Sequence, residues 1–165
     1  MSVIPEAGAD RGNQGLQRDS HQIDVGDRQS HITDDDDPAG QADNVAAEGQ
    51  TIDLSGSGST LAFIGAGDFG SAAGTGTVTY TDGTAQSFDL SLADWYNDAP
   101  QAGGTLVATT HWNTSAGPGT HQVGVYSASV PLQAGKTVQS VTLPAVSSSV
   151  VRGTTAMHIF SIGIG

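Results

Sequence analysis

Apolar and polar residues alternate along two neighbouring stretches near the middle of the chain. The apolar positions are Val78 and Tyr80 in the first stretch and Phe88, Leu90 and Leu92 in the second. Threonine, serine and aspartate occupy the positions between them. Because successive side chains of a β-strand point to opposite faces, this period of two predicts two strands, each with one face in a hydrophobic core.

The turn between these two strands follows from matching their apolar faces. A three-residue loop ending at Gly83 sets Tyr80 opposite Thr84 and Gly76 opposite Phe88, so both apolar sets share one face. A two-residue loop would place them on opposite faces. We therefore expect a type I turn in which Gly83 adopts the left-handed conformation and forms a bulge.

Turn-forming residues divide the rest of the chain into short segments of the same kind. No segment has apolar residues at helical spacing over three turns, which argues against an α/β fold. Both faces of 61–64 are apolar, which predicts a central strand covered on each side. The pattern predicts an all-β fold, an antiparallel two-sheet β-sandwich or jelly roll of about eight strands. Besides the hairpin, the predicted strands span 51–54, 60–64, 105–112, 122–132, 137–143 and 156–162, with loops such as 113–120 between them.

The N-terminal 42 residues differ in composition from the remainder. All nine aromatic residues lie beyond residue 60, whereas the first 50 residues carry 11 acidic and 3 basic side chains. Such a segment buries too little apolar area to offset the entropy lost on ordering it. We predict a disordered acidic tail over 1–42 and one β-sandwich domain over 43–165. The four consecutive aspartates at 34–37 match no calcium-loop spacing and are interpreted as part of that solvated tail.

Composition excludes several classes of partner. The 17 acidic and 5 basic side chains give a net charge of −12, which repels nucleic-acid phosphates and anionic lipid surfaces. Cysteine is absent, so disulfides, thiol nucleophiles and cysteine zinc sites are excluded. No apolar run has the roughly 20 residues that a transmembrane helix needs, and the first residues lack a signal-peptide pattern. We expect no nucleic-acid partner and no membrane partner.

Motifs for catalysis or cofactor binding are weak. The segment 65–70 fits G-x-G-x-x-G, but the residues after it favour turn and strand where a dinucleotide site requires a helix, so we interpret its glycines as a loop. Hydrolase motifs and histidines at metal-ligand spacing are absent. Asp89 points away from the core, and Asp94 and Asp98 share one loop, which does not favour a pair for glycoside hydrolysis. We expect a non-catalytic domain without a cofactor or metal.

Aromatic residues near turns are the strongest candidates for a binding site. Trp95 and Tyr96 lie in a predicted loop, and Trp112 lies between His111 and Asn113 at the end of a predicted strand. Flat aromatic faces stack on the apolar side of a pyranose, and polar neighbours bond its hydroxyls. These five residues are carbohydrate-binding candidates, with Trp112 expected to be the exposed ring. The alternative for each tryptophan is that it closes the end of the core.

Nine short segments spread over about 43–165 form a set. They are D-N-V at 43–45, G-Q-T-I at 49–52, S-G-S-G-S-T-L-A-F-I-G-A at 55–66, G-T-G-T-V-T-Y-T-D-G-T at 74–84, D-W at 94–95, L-V-A-T-T at 106–110, S-V-P-L-Q-A-G-K-T-V at 129–138, S-V-T-L-P at 140–144 and M-H-I-F at 157–160. As a set they resemble the C-terminal β-sandwich accessory domains of secreted actinobacterial glycoside hydrolases, including α-mannosidase-like enzymes. Those domains usually have a tyrosine and an arginine before the asparagine that is Asn113 here, where this chain has His111 and Trp112.

The resemblance implies a copy truncated at its N-terminus that acts as a non-catalytic, carbohydrate-associated module of a glycoside hydrolase system. The expected partners are a glycan or a glycosidase catalytic domain, and the expected location is extracellular. The alternative that the residues leave open is a structural or protein-interaction β-sandwich without a small-molecule ligand.

Overall fold

The computed structural model describes residues 44–96, 104–114, 116–146 and 153–165, and for 111–114 and 121 it describes the backbone alone. The predicted tail at 1–42, with its four aspartates, lies outside these residues, as does Asp98. All regular secondary structure in the described residues is β-strand.

Nine strands lie in the described residues. They are β1 (Val45–Ala46), β2 (Thr51–Ser57), β3 (Thr60–Asp68), β4 (Ala72–Tyr80), β5 (Ala85–Leu92), β6 (Thr105–Thr114), β7 (Gly117–Pro131), β8 (Thr137–Thr142) and β9 (Ala156–Ile164). A five-stranded sheet has the order β1-β9-β3-β7-β6, and a four-stranded sheet has the order β2-β8-β4-β5. All pairs are antiparallel and the sheets share one core, which confirms the predicted fold class. The strand that the sequence did not predict is the two-residue β1.

The two sheets bury the apolar residues that the alternation places on their facing sides. Phe63 of β3 and Phe88 of β5 meet between the sheets, with ring centroids 5.5 Å apart. Removing a side chain of this size from water contributes about 1.5–3 kcal/mol, so the alternating residues supply most of the energy that joins the sheets. Other fully buried side chains are Leu61, Val78, Tyr80, Leu92, Val138, Val141 and Met157.

The hairpin of β4 and β5 has the predicted register. Gly76 pairs with Phe88, and the Tyr80 N–H donates to the Thr84 carbonyl at 2.9 Å. Gly83 has a φ of 80°, and its N–H donates to the Tyr80 carbonyl at 2.9 Å. These bonds confirm the three-residue loop with a left-handed glycine.

Strand β3 is central in its sheet, as predicted, but it is not covered on both sides. Leu61 and Phe63 are buried, whereas Ala62 is exposed and Ile64 is half-buried. Each sheet of a two-sheet sandwich has a single facing sheet, so the outer side of a central strand still meets solvent. The apolar residues on that side therefore do not belong to a second core.

Strand β3 also continues through glycines that the sequence predicts as a loop. It ends at Asp68, and both Gly65 and Gly67 pair with β9. A Cβ on Gly65 would overlap the carbonyl oxygen of His158, and one on Gly67 would lie 2.7 Å from the carbonyl oxygen of Gly70. The loop prediction is wrong here because these glycines allow the close approach of neighbouring backbone.

Replacing Gly83 by alanine should destabilise the domain by about 1 kcal/mol, because alanine must then adopt the left-handed conformation. A Cβ at Gly83 meets no other atom within 4 Å, so any loss of stability in this variant comes from backbone strain and not from a steric clash. Gly163 of β9 is the matched control, since a Cβ there also meets nothing within 4 Å and its φ is not positive. Urea or thermal unfolding should give a lower midpoint for Gly83→Ala than for Gly163→Ala. Equal midpoints would contradict the turn conformation.

The Asp82 carboxylate stabilises the same turn. Its Oδ1 accepts hydrogen bonds from Thr84 Oγ1 at 2.6 Å and from the Thr84 N–H at 3.0 Å, and its Oδ2 lies 3.0 Å from Lys136 Nζ. The hydrogen bonds from Thr84, and then the contact with Lys136, lower the pKa of Asp82 from 3.8 to about 2.

Because the folded pKa of Asp82 is below its unfolded value, its contribution to stability is complete above the unfolded pKa of 3.8 and is lost as the pH falls towards 2. The contribution is small, since the carboxylate is exposed. The wild type should melt at a higher temperature than Asp82→Asn at neutral pH, and the difference should vanish near pH 2. A difference that does not change with pH would assign the stabilisation to a property other than the carboxylate charge.

Candidate functional site

The five-stranded sheet opens at one end, and the segment that follows β5 enters the gap. Pairing of β3 with β7 ends at Gly65 on β3. Beyond that point the Gly67 N–H donates to the Ala93 carbonyl at 2.7 Å, and the Trp95 N–H donates to the Gly67 carbonyl at 2.9 Å. On the other side, the Gly124 N–H of β7 donates to the Trp95 carbonyl at 2.9 Å. Main-chain hydrogen bonds to both strands thus hold this segment at the open end.

Asp68, the last residue of β3, holds the indole ring of Trp95. Its side chain is 6% exposed, and its Oδ1 accepts hydrogen bonds from Trp95 Nε1 at 2.9 Å and from the Phe69 N–H at 3.1 Å. Hydrogen bonds to an ionised acceptor are stronger than neutral ones. The indole is half-buried and packs against the core. Trp95 is therefore held both by apolar contacts and by a carboxylate.

Asp94 joins the Trp95 segment to the turn between β3 and β4. Its Oδ2 accepts a hydrogen bond from the Gly70 N–H at 2.6 Å, and its Oδ1 accepts one from the Tyr96 N–H at 2.9 Å. The second bond, from an aspartate to the amide two residues later, is an Asx turn. The chain segments that carry Phe69 and Tyr96 are thus bonded to one carboxylate.

Phe69 is the one residue other than glycine with a positive φ in the described part of the chain. Its φ is 54°, and its side chain is 42% exposed. The left-handed conformation costs an L-residue about 1–2 kcal/mol. Thr155 Oγ1 donates to the Phe69 carbonyl at 3.0 Å and helps to hold the turn. Backbone strain of this kind concentrates at binding and catalytic sites.

Tyr96 completes the aromatic group at this end of the sandwich. It is 46% exposed, and its ring lies 5.3 Å from the Trp95 ring, centroid to centroid, with an interplanar angle of 62°. Edge-to-face contact of this kind is a favourable arrangement of two aromatic rings. The predicted candidates Trp95 and Tyr96 therefore form one supported pair, in which Tyr96 is the more exposed ring. We call Asp68, Phe69, Asp94, Trp95 and Tyr96 the aromatic end.

The other three candidates, His111, Trp112 and Asn113, lie in β6, at the edge of the five-stranded sheet. Their side chains lie outside the part of the chain that the structure describes. The exposure of Trp112 therefore stays a prediction. Of the five candidates, Trp95 and Tyr96 are the two that the structure brings together.

The segment at 113–120, predicted as a loop, is largely strand. β6 ends at Thr114 and β7 begins at Gly117. The register shifts so that three residues of β7 lie opposite Trp112, and such a bulge accommodates turn-forming residues within a strand pair. The predicted bounds of this loop are therefore wrong, because β6 and β7 pair with each other on both sides of Trp112.

The carboxylates considered for catalysis have structural partners. Asp94 accepts two main-chain N–H groups, and Asp89 accepts a hydrogen bond from Thr75 Oγ1 at 2.8 Å on the four-stranded sheet. His158 of β9 is half-buried, with its Nδ1 2.8 Å from Asn44 Oδ1. Within the described ranges, no three His, Cys, Asp or Glu side chains converge as a metal site would require. What the aromatic end offers is a supported surface for binding.

Sequence reasoning does not identify Asp68 and Phe69 as parts of this site. Both lie inside the glycine-rich motif at 65–70, which is followed by β4 from Ala72 and not by the helix that a dinucleotide site needs. A usable signal is nevertheless present in the sequence. Asp68 is a single acidic residue at the end of an apolar run, and the aromatic residue after it stands before a glycine.

An open depression of about 340 Å³ lies on the four-stranded sheet. Its lining residues are Ala73, Gly74, Thr75, Asp89, Leu90 and Ser91. None of these six is aromatic, and the one charged group among them is already bonded to Thr75. The depression therefore lacks the stacking surface of the aromatic end.

No protein-family model matches the chain, and no curated protein matches it either. The resemblance to hydrolase-associated domains thus rests on the nine segments of the sequence itself. Among the described residues there is no helix of the length and apolarity needed to cross a bilayer.

Two substitutions at Phe69 separate backbone strain from the loss of the ring. Both Phe69→Gly and Phe69→Ala remove the ring, but only glycine relieves the left-handed conformation. We expect the glycine variant to be more stable than the alanine variant by about 1 kcal/mol in urea or thermal unfolding. If the two variants are equally stable, the positive φ is not kept in solution.

Proposed function

We propose that the chain is a non-catalytic, carbohydrate-associated β-sandwich module that binds glycan through the aromatic end and works with a glycoside hydrolase. The observation that carries this proposal is the exposed ring of Tyr96, held edge-to-face against the half-buried indole of Trp95. The resemblance of residues 43–165 to hydrolase-associated domains supports the same class of ligand.

The chemistry of the aromatic end suits a sugar. A pyranose has an apolar face of C–H groups that stacks on an aromatic ring, and hydroxyls that bond nearby polar atoms. Asp68 and Asp94 fix the Trp95 indole and the Tyr96 backbone before any ligand arrives, so binding orders few side chains and loses little entropy. The net charge of −12 disfavours anionic sugars, so the proposed ligand is a neutral glycan.

An open aromatic surface binds weakly by itself, which is why a linked partner matters. A catalytic domain joined to the module raises the local concentration of glycan at this surface, and the module does the same for the catalytic domain. The proposed partner is therefore a glycosidase catalytic domain, and the proposed location is outside the cell.

A structural or protein-interaction module without a small-molecule ligand is the second candidate function. It is favoured by β6, whose residues 105–110 are exposed along the edge of the five-stranded sheet. The two candidates differ in which surface is used, so substitutions at the two surfaces separate them.

Replacing Tyr96 by alanine should weaken glycan binding about tenfold, the amount expected from losing one favourable ring contact. The melting temperature should stay close to that of the wild type, because the Tyr96 side chain is 46% exposed. Binding is measured on a glycan array and by electrophoresis in gels that contain neutral polysaccharides. Asp89→Ala, in the depression on the four-stranded sheet, is the matched control and should bind like the wild type.

Further outcomes locate the site or reject it. Loss of binding in Trp112→Ala, with normal binding in Tyr96→Ala, would move the site to β6. Loss in Asp89→Ala alone would move it to the four-stranded sheet. A folded wild-type chain that binds no glycan would reject the proposal and leave the structural module as the better description.

A further inference from the structure

The aromatic end has a second exposed aromatic residue, Phe69, besides Tyr96. The two side chains are 42% and 46% exposed, respectively. They belong to different segments of the chain, since Phe69 lies in the turn after β3 and Tyr96 lies in the segment after β5. The glycan contact proposed above involves the Tyr96 ring and leaves the exposed part of Phe69 without an assigned role.

Both exposed residues are adjacent to the Trp95 indole. Asp68 Oδ1 accepts hydrogen bonds from the Phe69 N–H at 3.1 Å and from Trp95 Nε1 at 2.9 Å, so the Phe69 main chain and the indole nitrogen are neighbours of one oxygen atom. The Tyr96 ring contacts the same indole, with ring centroids 5.3 Å apart. A ligand that covers the exposed part of Tyr96 therefore lies close to the turn that carries Phe69.

Hydrogen bonds hold the main chain of Phe69 in its left-handed conformation. Its φ is 54°, and both its N–H and its C=O are bonded, the C=O to Thr155 Oγ1 at 3.0 Å. The following N–H, that of Gly70, donates to Asp94, whose carboxylate also accepts the Tyr96 N–H. None of these bonds involves the Phe69 ring, and a glycine would form them without the conformational cost. Strained residues concentrate at ligand sites, which points to a role for the ring in binding.

We propose that Phe69 is a second sugar-binding ring, and that the aromatic end takes at least two linked units of a neutral glycan, one on Tyr96 and the next on Phe69. This inference rests on the proposed function and adds the length of the ligand to its class. A pocket for a small ligand encloses most of that ligand. Rings as exposed as these two each cover one face of one sugar unit, so a chain that contacts both rings binds better than a single unit.

The test measures binding of neutral mono-, di-, tri- and tetrasaccharides on a glycan array, followed by NMR titration of the series that binds best. The wild-type affinity should rise about tenfold between one and four sugar units, the amount expected from one further ring contact. Phe69→Gly should bind the monosaccharide like the wild type and lose the rise with length. Phe69→Tyr, which keeps an aromatic ring, should keep the rise.

Three further variants control this test. Phe69→Leu keeps an apolar side chain on the left-handed backbone but has no aromatic face, so it should also lose the rise with length. Val107→Ala is the matched control, because it truncates another exposed apolar side chain, 53% exposed and on β6, and it should show the wild-type rise. Tyr96→Ala should weaken binding at every length. Thermal unfolding checks that each variant folds.

The remaining outcomes overturn the proposal, and they separate its failure from that of the proposed function. If Phe69→Gly and Phe69→Leu keep the rise while Tyr96→Ala weakens binding, the proposed function stands and Phe69 is not a sugar contact. If the wild-type affinity does not rise with length, or if Phe69→Gly weakens the monosaccharide as much as the tetrasaccharide, the two-unit site is wrong. If the wild type binds no glycan of any length, both proposals fail.

Discussion

The absence of a side chain at Gly67 is the constraint on which the aromatic end of this protein depends. The N–H and C=O of Gly67 both bond to the segment that follows β5, and a Cβ there would lie 2.7 Å from the Gly70 oxygen and 2.9 Å from the Ala72 nitrogen. A larger residue would displace either the turn after β3 or the Trp95 segment. Both carry exposed aromatic residues, so the relative position of Phe69 and Tyr96 follows from this close approach.

Two carboxylates make the crowded backbone possible. Asp68 and Asp94 accept hydrogen bonds from the N–H groups of Phe69, Gly70 and Tyr96, which lie where no regular strand partner is available. The bonds from Phe69 and Gly70 are partly buried, so they satisfy N–H groups that water reaches only in part and thereby stabilise the turn. None of the buried side-chain nitrogen and oxygen atoms in the described residues lacks a partner. Asp68 Oδ1, which accepts the Phe69 N–H in this turn, also fixes the Trp95 indole and so links folding of this end to the proposed binding surface.

The parts of the fold that were predictable from sequence are those that local pattern determines. The β4–β5 hairpin is an example, because the alternation of Tyr80 and Phe88 with polar residues and the single glycine at Gly83 are enough to choose a loop length. The role of Gly65 and Gly67 was not predictable in this way. A glycine pair in a sequence is equally typical of a loop and of a strand that another backbone approaches closely. The backbone next to Gly65 is that of His158, far along the chain, and the backbone next to Gly67 is the turn after β3, whose path the local pattern does not determine.

The same reasoning explains why the candidate site was recovered in part. Trp95 and Tyr96 are chemically conspicuous, so residue type was sufficient to select them, whereas Asp68 acquires its role only when the Trp95 segment enters the gap between β3 and β7. The loop predicted at 113–120 has the wrong bounds for a related reason. A bulge opposite Trp112 lets turn-forming residues remain in a strand, and bulges depend on the register of both partners.

The exposed apolar residues of this protein call for two different explanations. Leu106 and Val107 are exposed because β6 extends past the opposite sheet and carries a bulge, so topology alone accounts for their position without local strain. Phe69 differs, because its left-handed backbone carries a conformational cost at a residue whose side chain is still 42% exposed. Glycine at this position would remove that cost and keep the main-chain bonds that hold the turn. The strained residue lies in the turn that Asp68 and Asp94 hold beside the Trp95 segment, and a left-handed residue in such a place is a reason to count Phe69 as part of the proposed binding surface.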